Sequence, residues 1–149
     1  MTYEEKAIIE QAKLILRERI YQYSDIIQDA DVARDFAILH LAQEKSEVFC
    51  VMYLTTKHRL INFERIFQGT IDQAHVYPRE IVRRCIEHNA AAIILVHNHP
   101  SGDLTPSESD INITRDLSKI LELIDVKVLD HIIVASDTTY SFVQHRKLK

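Results

Sequence analysis

The chain has 149 residues, 46% of them hydrophobic and 27% charged, with a formal net charge of −4. Those values suit one globular domain long enough to bury a core, and the acidic balance excludes a general attraction for nucleic acid. No apolar run approaches the roughly 20 residues of a membrane span, and the charged N-terminus has no secretory leader pattern, so a cytoplasmic protein is expected.

Residues 3–20 carry the period of an amphipathic helix, opened by a Thr2/Glu5 capping box, with Ile8, Ala12, Ile15 and Leu16 expected inward. A second helix is predicted over residues 29–42, with Val32, Phe36 and Leu39 inward. Strands follow at 47–54 and 58–67, paired through a turn at Thr55, Thr56 and Lys57. Pro78 suits the first position of a helix running to about His88, and Asn89 suits its C-terminus. Arg79 and Glu80, in its first turn, read as fold-stabilising charges. Cys50 and Cys85 lie far apart in apolar surroundings with no C-x-x-C, and are expected to be reduced core thiols.

Ala90 to Val96 is an apolar run of strand length bounded by turn residues, which reads as a fully buried strand. His97 and His99 lie at or just past its end. Side chains at i and i+2 of an extended segment share a face, so both imidazoles can meet one metal ion at roughly 2.0–2.1 Å, while Asn98 points the other way. Pro100, Gly102 and Pro106 mark a tight loop. A helix is predicted over 106–124, with a Thr105/Glu108 capping box, Pro106 in the first helical position, and a 3.6-residue stripe of Ile111, Thr114, Leu117, Leu121 and Ile124. Ser107 and Asp110 share one face of its first turn, where a carboxylate reaches back toward the strand end. Two imidazoles and one carboxylate leave a fourth position open, which separates a catalytic zinc site from a structural one.

Each feature alone has a plainer explanation. Exposed histidine pairs are common, and an acid in a first helical turn follows from the macrodipole. The specificity lies in the combination, a buried strand running into a polar loop on which His, His, Ser and Asp converge. A strand at 126–135 and a short one at 139–143 complete the chain. His131, on the first of these, is either a partner that orients a metal ligand or a satisfied core histidine. His40, His58, His75, His88 and His145 show no ligand spacing, and the basic tail from His145 to Lys149 is expected to be solvated.

His97-Asn98-His99-Pro100-Ser101-Gly102, followed by Pro106-Ser107-Glu108-Ser109-Asp110, resembles the JAMM signature of JAB/MPN-type metalloproteases, H-x-H-x10-D with S-x-x-D inside it. The wording is similar to that of the RadC family within that group. Further matching stretches are Phe67-Gln68-Gly69-Thr70, Pro78-Arg79-Glu80-Ile81, Asp130-His131-Ile132-Ile133-Val134 and Tyr140-Ser141-Phe142. The resemblance covers roughly residues 25–149. It implies an α/β fold with a mixed central β-sheet flanked by helices (JAB/MPN, cytidine-deaminase-like), preceded by an N-terminal helical extension over residues 1–24. It implies one zinc ion per chain held by His97, His99 and Asp110, with water in the fourth position. It also implies a catalytic glutamate at the start of an early strand, which is Glu47, with Glu44 the runner-up, and a hydrogen bond from Ser107 to the developing oxyanion. The implied activity is hydrolysis of a peptide or isopeptide bond in a protein or peptide substrate.

Full-length RadC-type proteins typically carry an N-terminal helix-hairpin-helix region whose turns need glycine. The only glycines here are Gly69 and Gly102, so a short member of the family is expected, with nucleic acid an unlikely partner. Two readings from other classes remain: a catalytically silent JAB/MPN scaffold that binds a protein, and a DNA-repair accessory, as the family name suggests. Metal content discriminates the first and salt-dependent DNA binding the second.

Overall fold

The computed structural model describes residues 1–22, 30–69 and 76–148. The expected division between residues 24 and 25, and the expectations for Thr70, His75 and Lys149, lie outside the described residues. In chain order the elements are α1 (Tyr3–Gln22), α2 (Ala30–Leu41), β1 (Glu47–Leu54), β2 (Leu60–Gly69), α3 (Pro78–Glu87), β3 (Ala92–Asn98), α4 (Glu108–Glu122), β4 (Lys127–Ala135) and β5 (Thr138–Ser141). The strands form one sheet in the order β2-β1-β3-β4-β5. Only β3 and β4 run parallel, joined by α4, so the sheet is mixed, as expected for the JAB/MPN fold.

Both faces of the sheet are covered, which is why β1 and β3 read as nearly unbroken apolar runs. Val48, Cys50, Met52, Leu54, Ile94 and Val96 pack with α2. Phe49, Val51, Tyr53, Ile93 and Leu95 pack on the other face with Ile81 and Cys85 of α3 and Leu117 and Leu121 of α4. Odd-numbered residues of both strands therefore face α3 and α4. In β4 the alternation changes phase. Ile93 pairs with Val128 and Ile94 with Asp130, which leaves Leu129 without a partner as a bulge. Val128 lies in the core with α3 and α4, while Ile132 and Val134 lie in the core with α2. The bulge thus turns His131 onto the α3/α4 face, where unbroken pairing would have placed it toward α2.

Several expectations needed correction. The Thr2/Glu5 box forms, with Thr2 N–H donating to Glu5 Oε2 at 2.7 Å and Glu5 N–H to Thr2 Oγ1 at 3.2 Å. However, α1 meets the domain along a narrow stripe that includes Leu16, and leaves Ile8 and Ile15 67% and 47% exposed. In α2 the buried face is Ala33, Phe36, Ala37 and Leu41, with Val32 and Leu39 half-buried, because the alanines let the helix lie close on the sheet. The β1–β2 connection runs from Thr55 to Arg59. Thr55 closes it with its N–H, carbonyl and hydroxyl, His58 adopts a left-handed φ of 60°, and β2 starts two residues later than expected. Asn89 sits at φ 52°, as its C-terminal role after α3 requires. In the tail His145, Arg146 and Lys147 are exposed, as expected, though His145 stacks on Tyr140 at 3.9 Å and Leu148 packs against the core beside α4. Cys50 and Cys85 are free and buried, and burial pushes each thiol up to about 12. Among the described residues no helix is long and apolar enough to cross a membrane.

Candidate metal centre

The pleat of β3 places His97 on the α3/α4 face and Asn98 on the other. His97 is 1% exposed. β1 lies antiparallel beside it with Phe49 opposite His97, so Glu47, two residues before Phe49, points to the same face. Asn98 pins that end of β1. Its Oδ1 accepts the Val48 N–H at 2.7 Å, and its Nδ2 donates to the carbonyls of Ser46 at 3.0 Å and Glu44 at 3.3 Å. The spacing of the histidines gave only its direction; its bond partners were not visible in the sequence. β2 ends alongside, with Gly69 paired to Glu47. A Cβ at Gly69 would lie 2.4 Å from the Phe67 ring, so a side chain there would require that ring to shift.

Beyond β3, His99 N–H donates to the Val134 carbonyl at 2.9 Å, which carries the ladder one residue past the strand. The loop then turns through Gly102 at φ 86°, a conformation glycine supplies without strain. α4 begins at Glu108, not at Pro106. Its N-cap is Ser107, whose Oγ accepts the Asp110 N–H at 3.0 Å while the Ser107 N–H donates to Asp110 Oδ2 at 2.8 Å. The sequence holds two overlapping capping patterns, and the chain uses Ser107/Asp110 over Thr105/Glu108. Asp110 is thereby fixed at the helix N-terminus, facing the strand end.

His97 Nε2 and His99 Nε2 lie 2.9 Å apart. Asp110 Oδ1 is 3.3 Å from the first and Oδ2 is 3.1 Å from the second. With Glu47 included, one donor atom from each of the four residues lies within 4.8 Å of the others. Glu44 stands apart, its carboxylate paired with Arg65. Glu80 pairs within α3 with Arg83 at 2.7 Å. Behind the cluster, His131 is fully buried and touches His97.

Burial pushes the Glu47 carboxyl above the usual range, with the Asp110 charge adding to it and His97 and His99 opposing. Burial acts in the same direction on Asp110, but its bonds to His97, His99 and the Ser107 N–H outweigh it and hold that carboxyl well below the usual range. The hydrogen bond to Asp110 raises His99, against the effect of burial. Burial takes His131 well below the usual histidine range, which keeps it neutral.

These atoms fit a divalent metal by their chemistry. His99 Nδ1 lies 2.6 Å from the Asp103 carbonyl, which can only accept, so Nδ1 holds a proton, and in the neutral ring that a cation requires Nε2 is left as a lone pair. That nitrogen meets two carboxylates and a second imidazole nitrogen in a half-buried space. A cation satisfies such a set. Two imidazoles and a carboxylate are a known three-ligand set for zinc with an open position. A separate groove of about 750 Å³, lined by Lys119, Glu122, Lys127, Val128, Lys147 and Leu148 among others, shares no residue with this cluster.

A family model for the RadC-like JAB domain matches residues 27–148. The chain is 46% identical over 142 residues to a UPF0758 protein of Ralstonia nicotianae, covering 95% of this chain and 63% of that one. It is 46% identical to a UPF0758 protein of Vibrio cholerae, covering 95% of this chain and 89% of the relative. A Pseudomonas fluorescens UPF0758 protein is 43% identical over 140 residues, 94% of this chain and 62% of its own length. The chain thus spans a little under two thirds of the Ralstonia and Pseudomonas relatives. The match takes in β1 to β5 together with the strand end, loop and helix start that carry His97, His99 and Asp110: the chain belongs to the RadC-like JAB domain family.

Proposed function

We propose that this domain is a zinc-dependent hydrolase of the JAMM type that cleaves peptide or isopeptide bonds, with His97, His99 and Asp110 holding the ion. The observation behind this reading is the convergence of two imidazole nitrogens and two carboxylates, Glu47 being the fourth group. When bound, zinc polarises a scissile carbonyl and lowers the pKa of a coordinated water toward about 7.

The chain's own residues supply the rest. Glu47 is half-buried beside the imidazoles, and burial raises its carboxyl pKa, which strengthens it as a base that takes a proton from the attacking water and returns it to the leaving amine. The Asn98 bonds to Ser46 and Val48 flank Glu47 and fix its backbone, so the carboxylate keeps its place as the proton moves. Ser107 Oγ accepts a helix N–H, which leaves its own proton free to donate to a developing oxyanion. Asp110 is held by the helix cap, whose Ser107 N–H favours the ionised carboxylate, so it stays in place for binding.

The test is zinc content together with amine release from a panel of peptides and lysine-linked isopeptides. About one zinc per chain and release from at least one panel member are expected. Glu47→Gln should keep the zinc and lose about 10²–10⁴-fold in rate, the usual contribution of a general acid–base group. Absence of zinc after reconstitution overturns the metal assignment. A zinc-loaded wild type that releases no amine overturns the hydrolase reading and leaves a metal-binding scaffold.

A further inference from the structure

The stretches 130–134 and 140–142 contribute nothing to the donor set, yet they enclose His131 directly behind His97. His97 Nδ1 lies 2.6 Å from His131 Nε2, and His131 Nδ1 lies 2.5 Å from Thr114 Oγ1. In either contact the proton could belong to either side. The next link removes that freedom. Thr114 Oγ1 donates to the Asp110 carbonyl at 2.7 Å, and a carbonyl cannot donate back. The hydroxyl proton is therefore used, and Thr114 Oγ1 must accept from His131 Nδ1–H. His131 Nε2 then holds a lone pair and accepts from His97 Nδ1–H. In the neutral ring that binds a cation, His97 Nε2 is left as a lone pair, pointing at Asp110 Oδ1 and His99 Nε2. Reversing any one link places two acceptors or two donors face to face.

We infer that Thr114, acting through His131, sets the tautomer in which His97 presents its Nε2 lone pair to the metal. Both are positioning residues, and the inference rests on the metal-site reading above. The chain of bonds starts and ends on one residue: the Asp110 carbonyl fixes the proton order, and the Asp110 carboxylate shares the ion with His97. Solvent cannot substitute for a link, since His97 and Thr114 are each 1% exposed and His131 is 0% exposed.

The surroundings hold His131 in this role. The bulge at Leu129 turns it to the α3/α4 face. Phe142 stacks on its ring at 4.5 Å and Phe49 meets it edge-on at 5.7 Å. Asp130 accepts the His131 N–H at 2.7 Å, the Ser141 hydroxyl at 2.6 Å and the Val143 N–H at 3.1 Å, which brings Phe142 over the ring.

Thr114→Val keeps the shape and removes the hydroxyl; Thr114→Ser keeps the hydroxyl. Zinc affinity is measured by competition with a chromophoric chelator, and the His97 and His131 tautomers by nitrogen-15 NMR of the imidazoles. Thr114→Val is expected to lose 10–100-fold in zinc affinity, the range for partners that orient a ligand. Thr114→Ser should stay near the wild-type value, and wild-type His131 should be the Nδ1–H form. Thr114→Val with wild-type zinc affinity, even if less stable, overturns the inference. So does wild-type His131 observed as the Nε2–H form, with or without zinc. Failure of the wild type to bind zinc while His131 is the Nδ1–H form overturns the metal reading and, with it, the role assigned to Thr114.

Discussion

Replacing Asp110 separates two jobs that one side chain performs. It closes the capping box of α4 and it faces both imidazoles. If zinc binds only the folded chain, zinc at about 1,000 times its dissociation constant adds about 4 kcal/mol of stability. For a chain of this length about 1 kcal/mol shifts the melting temperature by about 2–4 °C, so the wild type should melt about 8–16 °C higher with zinc than with a chelator. Asp110→Asn retains an oxygen to accept the Ser107 N–H but loses the charge and the ligand. Its metal-free melting point should stay near the wild type's while the gap closes. Asp110→Ala should close the gap as well, and lower the metal-free value by a further 2–4 °C or so, from loss of about 1 kcal/mol of capping. Scanning calorimetry with and without chelator reads both effects. A full zinc-dependent gap in Asp110→Asn would refute the placement of the ion. Equal metal-free melting points for the Asn and Ala variants would refute the capping contribution.

Acid stability should report His40, which burial, helped by Lys13 and Arg17, holds down at about 4. The unfolded chain takes that proton near its ordinary pKa of about 6.5, so unfolding binds a proton between those values and stability falls as pH drops from about 6.5 toward 4. The slope from this half-buried group is at most on the order of 1 kcal/mol per pH unit after screening. The denaturant midpoint of the wild type should fall relative to that of His40→Gln between pH 7 and pH 4, and a constant difference would exclude the effect. For nucleic acid, we propose that the net charge of −4, with Glu122 and Asp125 among the cations of the far groove, allows no duplex or branched DNA binding tighter than about 10⁻⁴ M at physiological salt. Micromolar binding with a steep salt dependence in a fluorescence titration would reverse that expectation.

The candidate site was readable in the sequence where it depends on local periodicity. Alternation along a strand puts His97 and His99 on one face, and the first turn of a helix puts Ser107 beside Asp110. Glu47 over Glu44 is a question of register: β1 pairs antiparallel with β3, and this sets Glu47 two residues before the partner of His97. The helix start was misplaced because Thr105/Glu108 and Ser107/Asp110 both satisfy the capping spacing, and only tertiary contacts choose between them. Thr114 looked like one more core residue of the α4 stripe, since a threonine that accepts from a histidine has no pattern distinguishing it from one that packs. The bulge at Leu129 left no trace either, being a mismatch in length between two strands that neither strand shows alone. In α1, periodicity named the apolar positions but not which of them would meet a neighbour.

The parity of β3 limits how this domain can change in length. His97 and Asn98 are adjacent, and the pleat sends one to the ligand cluster and the other to the backbone of residues 44–48. Inserting or deleting one residue between Ala92 and Asn98 would exchange the two faces, placing an amide among the ligands and an imidazole against the Val48 N–H. If the 97–98 end kept its faces instead, every apolar residue on the N-terminal side of the change would move to the opposite core. The turn at Thr55 to Arg59 faces no such rule, because register is set beyond it on both strands. Length variation among sequences of this kind is therefore expected at that turn and excluded from the seven residues of β3.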